Sequence, residues 1–573
     1  MRNLKLLILN LAIASLIIAC AKPGKNFSDV TQEGQNGTLY YGGDIITAEG
    51  GETPEYVEAI WVKDGKIAFA GNLNEAEKQA NGAERVDLKG KTMTPGFIDG
   101  HAHFGGFGAQ AVTANLLAEP DGKCNSIDDI ITELKDWHAK NGTEKTKGWI
   151  LGMGFDDAVL KENRFPTRED LDKVSKDIPI CVVHISAHFV ALNSKGLEKL
   201  NINAKTQPVP GGVIRRMPNS QEPNGVLEEN SATPVLMQLF SPDLKWIDYY
   251  LDKAQEMALS YGYTTANEGK AYQPSHDLFV NYSNRGKLKL DLISFVDPSV
   301  NVDNTYNSPN YKNHYRIGGY KLTLDGSPQG RTAWRTIPYL IPPDGQKAGY
   351  AGYEQMTDKQ VQSAVDNAFK RNMTIKAHCN GDAAADQFIK AIHFATKKYG
   401  QNDRRPILIH GQLIRKDQLD SLAKYKIFGS FFPMHTFYWG DWYKKIIGDK
   451  AAREISPVQS ALKKGIHIDT HTDAPVALPN MMMIMWTSVN RLSRSGDTMG
   501  ENEKLTPYQA LKAITIWSAY SFKEENTKGS IKKGKLADLV ILDQNPLKVD
   551  PLKIKDITVL QTIKEGKAVY TKK

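Results

Sequence analysis

Apolar and polar positions follow two distinct rhythms along this chain. From 37 to 95 the apolar runs are short and rich in β-formers, at 39–41, 58–63, 66–70 and 85–88. Gly42-Gly43, Asp64-Gly65 and Lys89-Gly90 separate them as turns. The C-terminus repeats this rhythm, with strand-like runs at 536–542, 557–560 and 567–570. Each end alone is a poor domain. Burying the apolar face of 37–96 against that of 528–573 predicts one composite β-sandwich built from both chain ends.

Between the ends the rhythm changes. Apolar runs at 287–296, 319–324, 374–378, 406–410, 427–432 and 465–470 alternate with helical stretches, of which 358–370 and 382–399 are the clearest. Alternating strand and helix predicts an α/β fold with a parallel sheet covered on both faces. The number and spacing of units favour a (β/α)8 TIM barrel over 97–527. Residues from about 105 to 260 break the βα spacing. They predict an inserted α+β subdomain with a helix at 126–141, a strand at 178–183 and a long loop at 201–230.

The first residues carry a different signal. Arg2 and Lys5 precede an apolar stretch, 6–18, that is shorter than the roughly 20 residues a membrane span needs. Small Ala19 followed by Cys20 resembles the lipobox of bacterial lipoproteins. This predicts a signal peptide over 1–19, lipidation of Cys20 and a polar tether over 20–36. The expected location is the cell envelope, with the chain anchored by lipid to a membrane. Ala21 carries no inner-membrane retention signal, which favours the periplasmic side of an outer membrane if the envelope is Gram-negative.

At 573 residues the chain has room for a barrel of about 250 residues plus other units. A composition of 41% hydrophobic and 24% charged residues fits a globular protein with a large core. The net charge of +7 forms no basic stripe interleaved with aromatics, which argues against nucleic acid as a partner. Of the four cysteines, lipidation of Cys20 leaves three, so this is no disulfide scaffold.

The candidate chemistry begins at His101 and His103, after the apolar pair Phe97-Ile98. Alternate residues of a strand share one face, so the two imidazoles can converge on one ion. Imidazole suits zinc and similar divalent metals. His378 and His410 each end an apolar run, and Asp473 follows another. In a (β/α)8 barrel such groups at the C-terminal strand ends face one active site.

In this order, His101-x-His103, His378, His410 and Asp473 resemble the amidohydrolase superfamily. Further motifs narrow the resemblance to the amidohydrolase family 3 group, the YtcJ-like and N-substituted formamide deformylase-like proteins. They are Gly148-Trp149-Ile150-x-Gly152-x-Gly154-x-Asp156, Gly225-Val226-Leu227-x-Glu229, the stretch Lys321 to Ser327, His378-Cys379-Asn380-Gly381-Asp382 and Thr472-Asp473-Ala474-Pro475. The resemblance covers residues 37–573. It implies the metal-dependent-hydrolase type of barrel, with one or two divalent ions, zinc first, held by His101, His103, His378, His410 and Asp473. Asp473 would also be the catalytic acid–base. Lys321 matches a position where a lysine can be carboxylated to bridge two ions, with Glu229 as the rival carboxylate. An unmodified Lys321 paired with Asp325 is the alternative.

The resemblance also places His188, His435 and Glu229 near the substrate. Plain alternatives are a buried structural histidine for the first two. Asp382 reads either as a group orienting an imidazole or as a helix N-cap. The aromatics Phe437, Tyr438, Trp439 and Trp442 read as packing or as a pocket wall. Two residues depart from the family pattern: His184, where arginine is usual, and His471, where glycine is usual. The implied activity is hydrolysis of a non-peptide carbon–nitrogen bond in a small amide-type molecule, an N-substituted amide or formamide first. A cyclic amide, an N-acyl amino acid or a deaminase substrate is the alternative. A non-catalytic ligand-binding surface lipoprotein is the alternative of another class.

Overall fold

The computed structural model describes residues 24–573 apart from 188, 210–211, 241–243, 304 and 344–345. The signal peptide and Cys20 therefore lie outside the described residues, as does His188. No helix among the described residues is long and apolar enough to cross a membrane.

Eight parallel strands form the central curled sheet, in unbroken chain order. They are β1 (Phe97–Ile98), β2 (Tyr263–Ala271), β3 (Asp291–Val296), β4 (Tyr315–Thr323), β5 (Thr374–Cys379), β6 (Ile407–His410), β7 (Phe428–Phe431) and β8 (Ile468–Thr470). Six of these follow the apolar runs of the sequence, and the brief β1 was expected at Phe97-Ile98. β2 was not expected. Its sequence, Tyr-Thr-Thr-Ala-Asn-Glu-Gly-Lys-Ala, lacks an apolar run, yet all but one of its residues are buried. Polar side chains there point into the sheet's concave interior, so hydropathy hides the strand.

No ladder joins β8 to β1. The segments that follow them are stitched instead, by Asp473 N–H to the His101 carbonyl at 3.0 Å and His103 N–H to the Ala474 carbonyl at 2.8 Å. Asp99 reinforces this seam. Its carboxylate accepts from Thr472 Oγ1 at 2.6 Å, from the Tyr263 hydroxyl at 2.7 Å and from His101 N–H at 3.1 Å. The interior of the sheet is filled below the seam by Ile98, Ile293 and Phe295, capped by Ala519 and Phe522.

The helices expected from periodicity stand at Asp358–Lys370 and Asp382–Tyr399. The first opens with a capping box, Thr357 and Gln360 satisfying each other's backbone amides. Asp382 begins the second but does not cap it, because Gly381 is the N-cap residue. Asp382 instead accepts from Thr336 N–H at 2.9 Å and from Arg415 at 3.0 Å.

The two chain ends meet in one nine-stranded sheet. The expectation was burial face to face. The halves also join edge to edge, Thr92–Pro95 pairing antiparallel with Leu539–Leu542. Val30, Ile60 and Ile67 from one end pack with Ile531, Leu539 and Ile563 from the other. The stretch read as a tether is held to this sheet from Lys25 onward, where Lys25 and Asn26 pair with Val86 and Asp87. Glu33 accepts from the backbone amides of Asp64 and Gly65 at 2.6 and 2.9 Å, which is why a polar segment lies flat here.

The inserted region carries its own six-stranded sheet. The loop expected over 201–230 contains a hairpin, Gly212–Arg216 with Pro223–Glu229. Buried Ile214, Val226 and Leu227 supply the apolar side that the Pro- and Asn-rich composition masks. The cysteines Cys124, Cys181 and Cys379 are buried and unpaired.

Candidate metal centre

Five groups far apart in sequence meet at the C-terminal rim of the sheet. His101 and His103 follow β1, His378 and His410 close β5 and β6, and Asp473 lies just past β8. The carboxylate of Asp473 stands at their centre. One oxygen lies 3.5 Å from His101 Nε2 and 3.7 Å from His103 Nε2, the other 4.0 Å from His410 Nδ1. His101, His410 and Asp473 each offer one ligand atom within 4.8 Å of the others. The His378 ring centre is 4.5 Å from that of His410. His410 and Asp473 adopt left-handed backbone angles, φ 74° and 50°. Non-glycine residues held there are strained, and such strain gathers at functional sites.

His103, His378 and His410 each have a partner behind them. His378 Nδ1 donates to Asp325 at 2.9 Å, and its Nε2 lies 3.2 Å from Asn380 Nδ2. Asp325 is fully buried and also accepts from the amides of Asn380 and Gly381, at 3.0 and 2.7 Å. It therefore serves His378 and not Lys321. Lys321 Nζ lies 2.9 Å from His101 Nε2 instead. Burial pushes the Lys321 pKa well below its ordinary value, even against the pull of Asp473. Glu268, on β2, has one oxygen 3.6 Å from His103 Nδ1, while the other accepts from Gly105 N–H at 2.9 Å. His471 Nε2 lies 3.1 Å from His410 Nδ1. Burial is the first cause that lowers the pKa of His101, His410 and His471 well below the ordinary value, so these rings are neutral.

Glycine is required at one contact. A Cβ on Gly269 would lie 2.2 Å from His101 Cε1, so the β2 backbone itself forms the wall behind that ring.

The remaining expected residues are more distant. His435 is buried one shell away, its ring centre 4.7 Å from Phe432 and 4.5 Å from Trp439, and Nδ1 is bonded to the Tyr443 hydroxyl. Tyr438 and Trp439 are buried, as packing residues are. Glu229 ends a strand of the insert's sheet, and its side chain lies outside the described residues. His184 also belongs to the insert, 3.0 Å from Asp157 and 2.8 Å from Ser186. Asp156, Asp157 and His184 form a second potential ligand group; Asp291, His314 and Glu565 form a third. In the third, Asp291 is already bonded to the ammonium groups of Lys528 and Lys564.

Sequence reading missed Glu268 because its strand was not visible. It also missed the pairing of Asp325 with His378, although Asp325 lay inside a motif already singled out.

The sequence profile of the amidohydrolase family matches residues 84–570. YtcJ of Bacillus subtilis (strain 168) is 25% identical over 545 residues, 93% of this chain and 99% of its own length. An N-substituted formamide deformylase of Arthrobacter pascens is 26% identical over 536 residues, 90% of this chain and 95% of that protein. A solved metal-dependent hydrolase of Pyrococcus horikoshii OT3 superposes with a TM-score of 0.71 at 23% identity, covering 90% of this chain and 99% of that one. At that identity the likeness speaks for the fold.

Proposed function

This chain belongs to the amidohydrolase family, a hydrolase of carbon–nitrogen bonds other than peptide bonds, and from that premise we propose that it cleaves an N-substituted amide or formamide with a bound divalent ion. The observation that carries this reading is the Asp473 carboxylate, within 3.5–4.0 Å of three imidazoles on a strand-end rim. The donor set fits a metal. It is made of imidazoles and a carboxylate, the ligand types of zinc hydrolase sites. The partner behind His410 leaves one ring nitrogen to spare, and the buried Nδ1 of His101 has no hydrogen bond of its own.

His101, His103, His378 and His410 would hold one or two ions, zinc being the first choice. When bound, a divalent ion polarises the scissile carbonyl and makes water a stronger acid. Asp473 orients the attacking water, takes its proton and returns it to the leaving nitrogen. One carboxylate acting first as base and then as acid suits amide cleavage. Burial raises the Asp473 pKa, against the pull of His103, Lys321 and His378, and so strengthens it as a base. Lys321, its pKa lowered by burial, would be suited to capture carbon dioxide as a carbamate and so to add an anionic ligand to the set. His435 and His188 are the proposed substrate contacts. The resemblance to a formamide deformylase directs the choice of substrate class.

The test is metal analysis of the purified protein together with a panel of N-formyl and N-acyl amines. Bound divalent metal and turnover lost on chelation and restored by Zn2+ are expected. Asp473→Asn should lower kcat by roughly 10²–10⁴-fold. No divalent metal after reconstitution would overturn the reading. For Lys321, the Ala variant should lose metal stoichiometry that added short carboxylic acids partly restore. We further propose lipid anchoring at Cys20 in the cell envelope. Mass spectrometry of the N-terminal peptide from expressing cells, showing either a diacylglyceryl adduct or an unmodified cysteine, decides it.

A further inference from the structure

β2 ends on a cation. Lys270 is the last residue but one of that strand, and its side chain is only 19% exposed. A lysine this withdrawn from water is normally paired. Here the pairing is slack. Nζ donates one hydrogen bond among the described residues, to Thr323 Oγ1 at 3.0 Å, and the carboxylate of Asp297 stays 3.6 Å away. Asp297 is held back by its own loop, because its Oδ1 accepts from Ser299 N–H at 3.0 Å and from Ser299 Oγ at 2.7 Å. Glu268 is nearer in sequence but is engaged with His103 and with Gly105 N–H. An ammonium group carries three N–H donors, so Lys270 has donors to spare.

The strand geometry says where those donors stand. Lys321 reaches into the interior of the sheet, to within 2.9 Å of His101 Nε2. Thr323 shares that face, two residues further along β4, and pairs in the ladder with His378. Asp297 directly follows β3. The Lys270 side chain therefore crosses the end of β3, and its ammonium group stands on the same rim as the candidate metal centre. Neighbouring strands lie about 4.8 Å apart, which puts the ammonium roughly 5–10 Å from His378. That span suits a group a few bonds from the scissile carbonyl of one small molecule. The Tyr272 ring, half exposed, lies 5.5 Å from Nζ and adds an apolar face beside it.

We propose that Lys270 is a specificity residue: it binds a carboxylate on the substrate, so that the amide cleaved at this rim is an acidic one. The proposal rests on the reading of the rim as an amide-cleaving metal centre, and narrows it. A substrate carboxylate can reach the open donors of Nζ at hydrogen-bond distance, which Asp297 does not. Charge-assisted bonds of this kind are stronger than neutral ones. A neutral substrate would shut water away from the ammonium and give it no partner, which is how a polar site rejects an analogue that lacks the matching group.

Matched compounds test this on the full-length protein: the N-formyl and N-acetyl derivatives of phenylalanine, of phenylalaninamide and of phenethylamine, which differ in the carboxylate. With metal-loaded wild type, kcat/KM for the acid should exceed that for the neutral compounds roughly 10–100-fold. Lys270→Met keeps the bulk of the side chain and removes its charge. It should erase the preference through KM and leave kcat for the neutral compounds unchanged. Lys270→Arg should keep most of the preference. A lysine with a purely structural role would shift all the compounds alike. Calorimetric binding of the same compounds reads the preference without turnover. Wild type that binds the acid no more tightly than its neutral counterparts would overturn the proposal, and that comparison needs no variant to fold. A folded Lys270→Met protein that retains the preference would overturn it too, placing the carboxylate on the metal instead. Wild type that turns over none of the compounds is a failure of the parent reading, and the binding comparison still decides the role of Lys270.

Discussion

At Asp473 one carboxylate meets three imidazoles, and every other residue of the centre can be ranked by how it serves that meeting. Glu268 and Asp325 stand behind His103 and His378, Lys321 beside His101, and His471 behind His410. The backbone at Gly269 is part of the same support. Gly269→Ala would push a methyl group into the His101 ring, 2.2 Å from Cε1. A ligand displaced on the ångström scale predicts a loss of roughly 10²-fold in kcat/KM with little change in Tm. Steady-state kinetics beside a thermal melt checks both halves. Lys376 adds a second support, donating from Nζ to the Gly100 carbonyl at 2.7 Å, directly before His101. Burial pushes the Lys376 pKa down to about 7.

Among the elements, the strand ends present the chemistry and the helices and insert frame it. The helix Asp358–Lys370 depends on its capping box. Thr357→Ala should cost about 1 kcal/mol of stability and leave Zn2+ affinity unchanged, as chemical denaturation and chelator competition can verify. In the insert, Asp170 accepts two bonds from Arg164, at 2.6 and 3.2 Å, and one from Thr167 N–H at 3.0 Å. Against the upward push of burial, these partners hold its pKa at about 2, below the ordinary 3.8. A depressed carboxyl pKa stabilises the fold above the unfolded value and loses that contribution as pH falls. Asp170 should therefore stabilise the insert fully above pH 3.8 and progressively less toward pH 2. Asp170→Asn should flatten the pH dependence of Tm in that window.

Across the whole molecule, the composite sheet and the eight-stranded sheet are locked by buried charges. Lys564, from the last hairpin, reaches Asp291 at the start of β3 at 2.8 Å and Asp538 at 2.9 Å. Lys528 bonds the same Asp291 and lies 3.2 Å from Glu524. All but Glu524 have side chains at most 3% exposed, so removing one partner strands a charge away from water. Lys564→Met should cost about 3–5 kcal/mol, seen as a lower denaturation midpoint. The C-terminal segment thereby acts as a clamp on the base of the sheet that carries the site, although it contributes no group to the rim.

The order of His101, His103, His378, His410 and Asp473, and the apolar runs that precede them, were legible along the chain. Burial of strands demands apolar runs, and ligand chemistry demands particular side chains at their ends. β2 was not legible, because its inward residues are polar and period-two hydropathy vanishes when polar groups fill an interior. With it went Glu268. The hairpin 212–229 was lost for a related reason: turn-forming residues outnumber its few buried aliphatics. Partner choice was beyond the chain altogether. Asp325 is four residues from Lys321 and fifty-three from His378, yet it bonds His378. His471 lies sixty-one residues from His410 and faces its Nδ1. Sequence by itself determined which groups could do the chemistry. Only the curling of the sheet, which brings strand ends together whatever their separation along the chain, decided which group stands behind which.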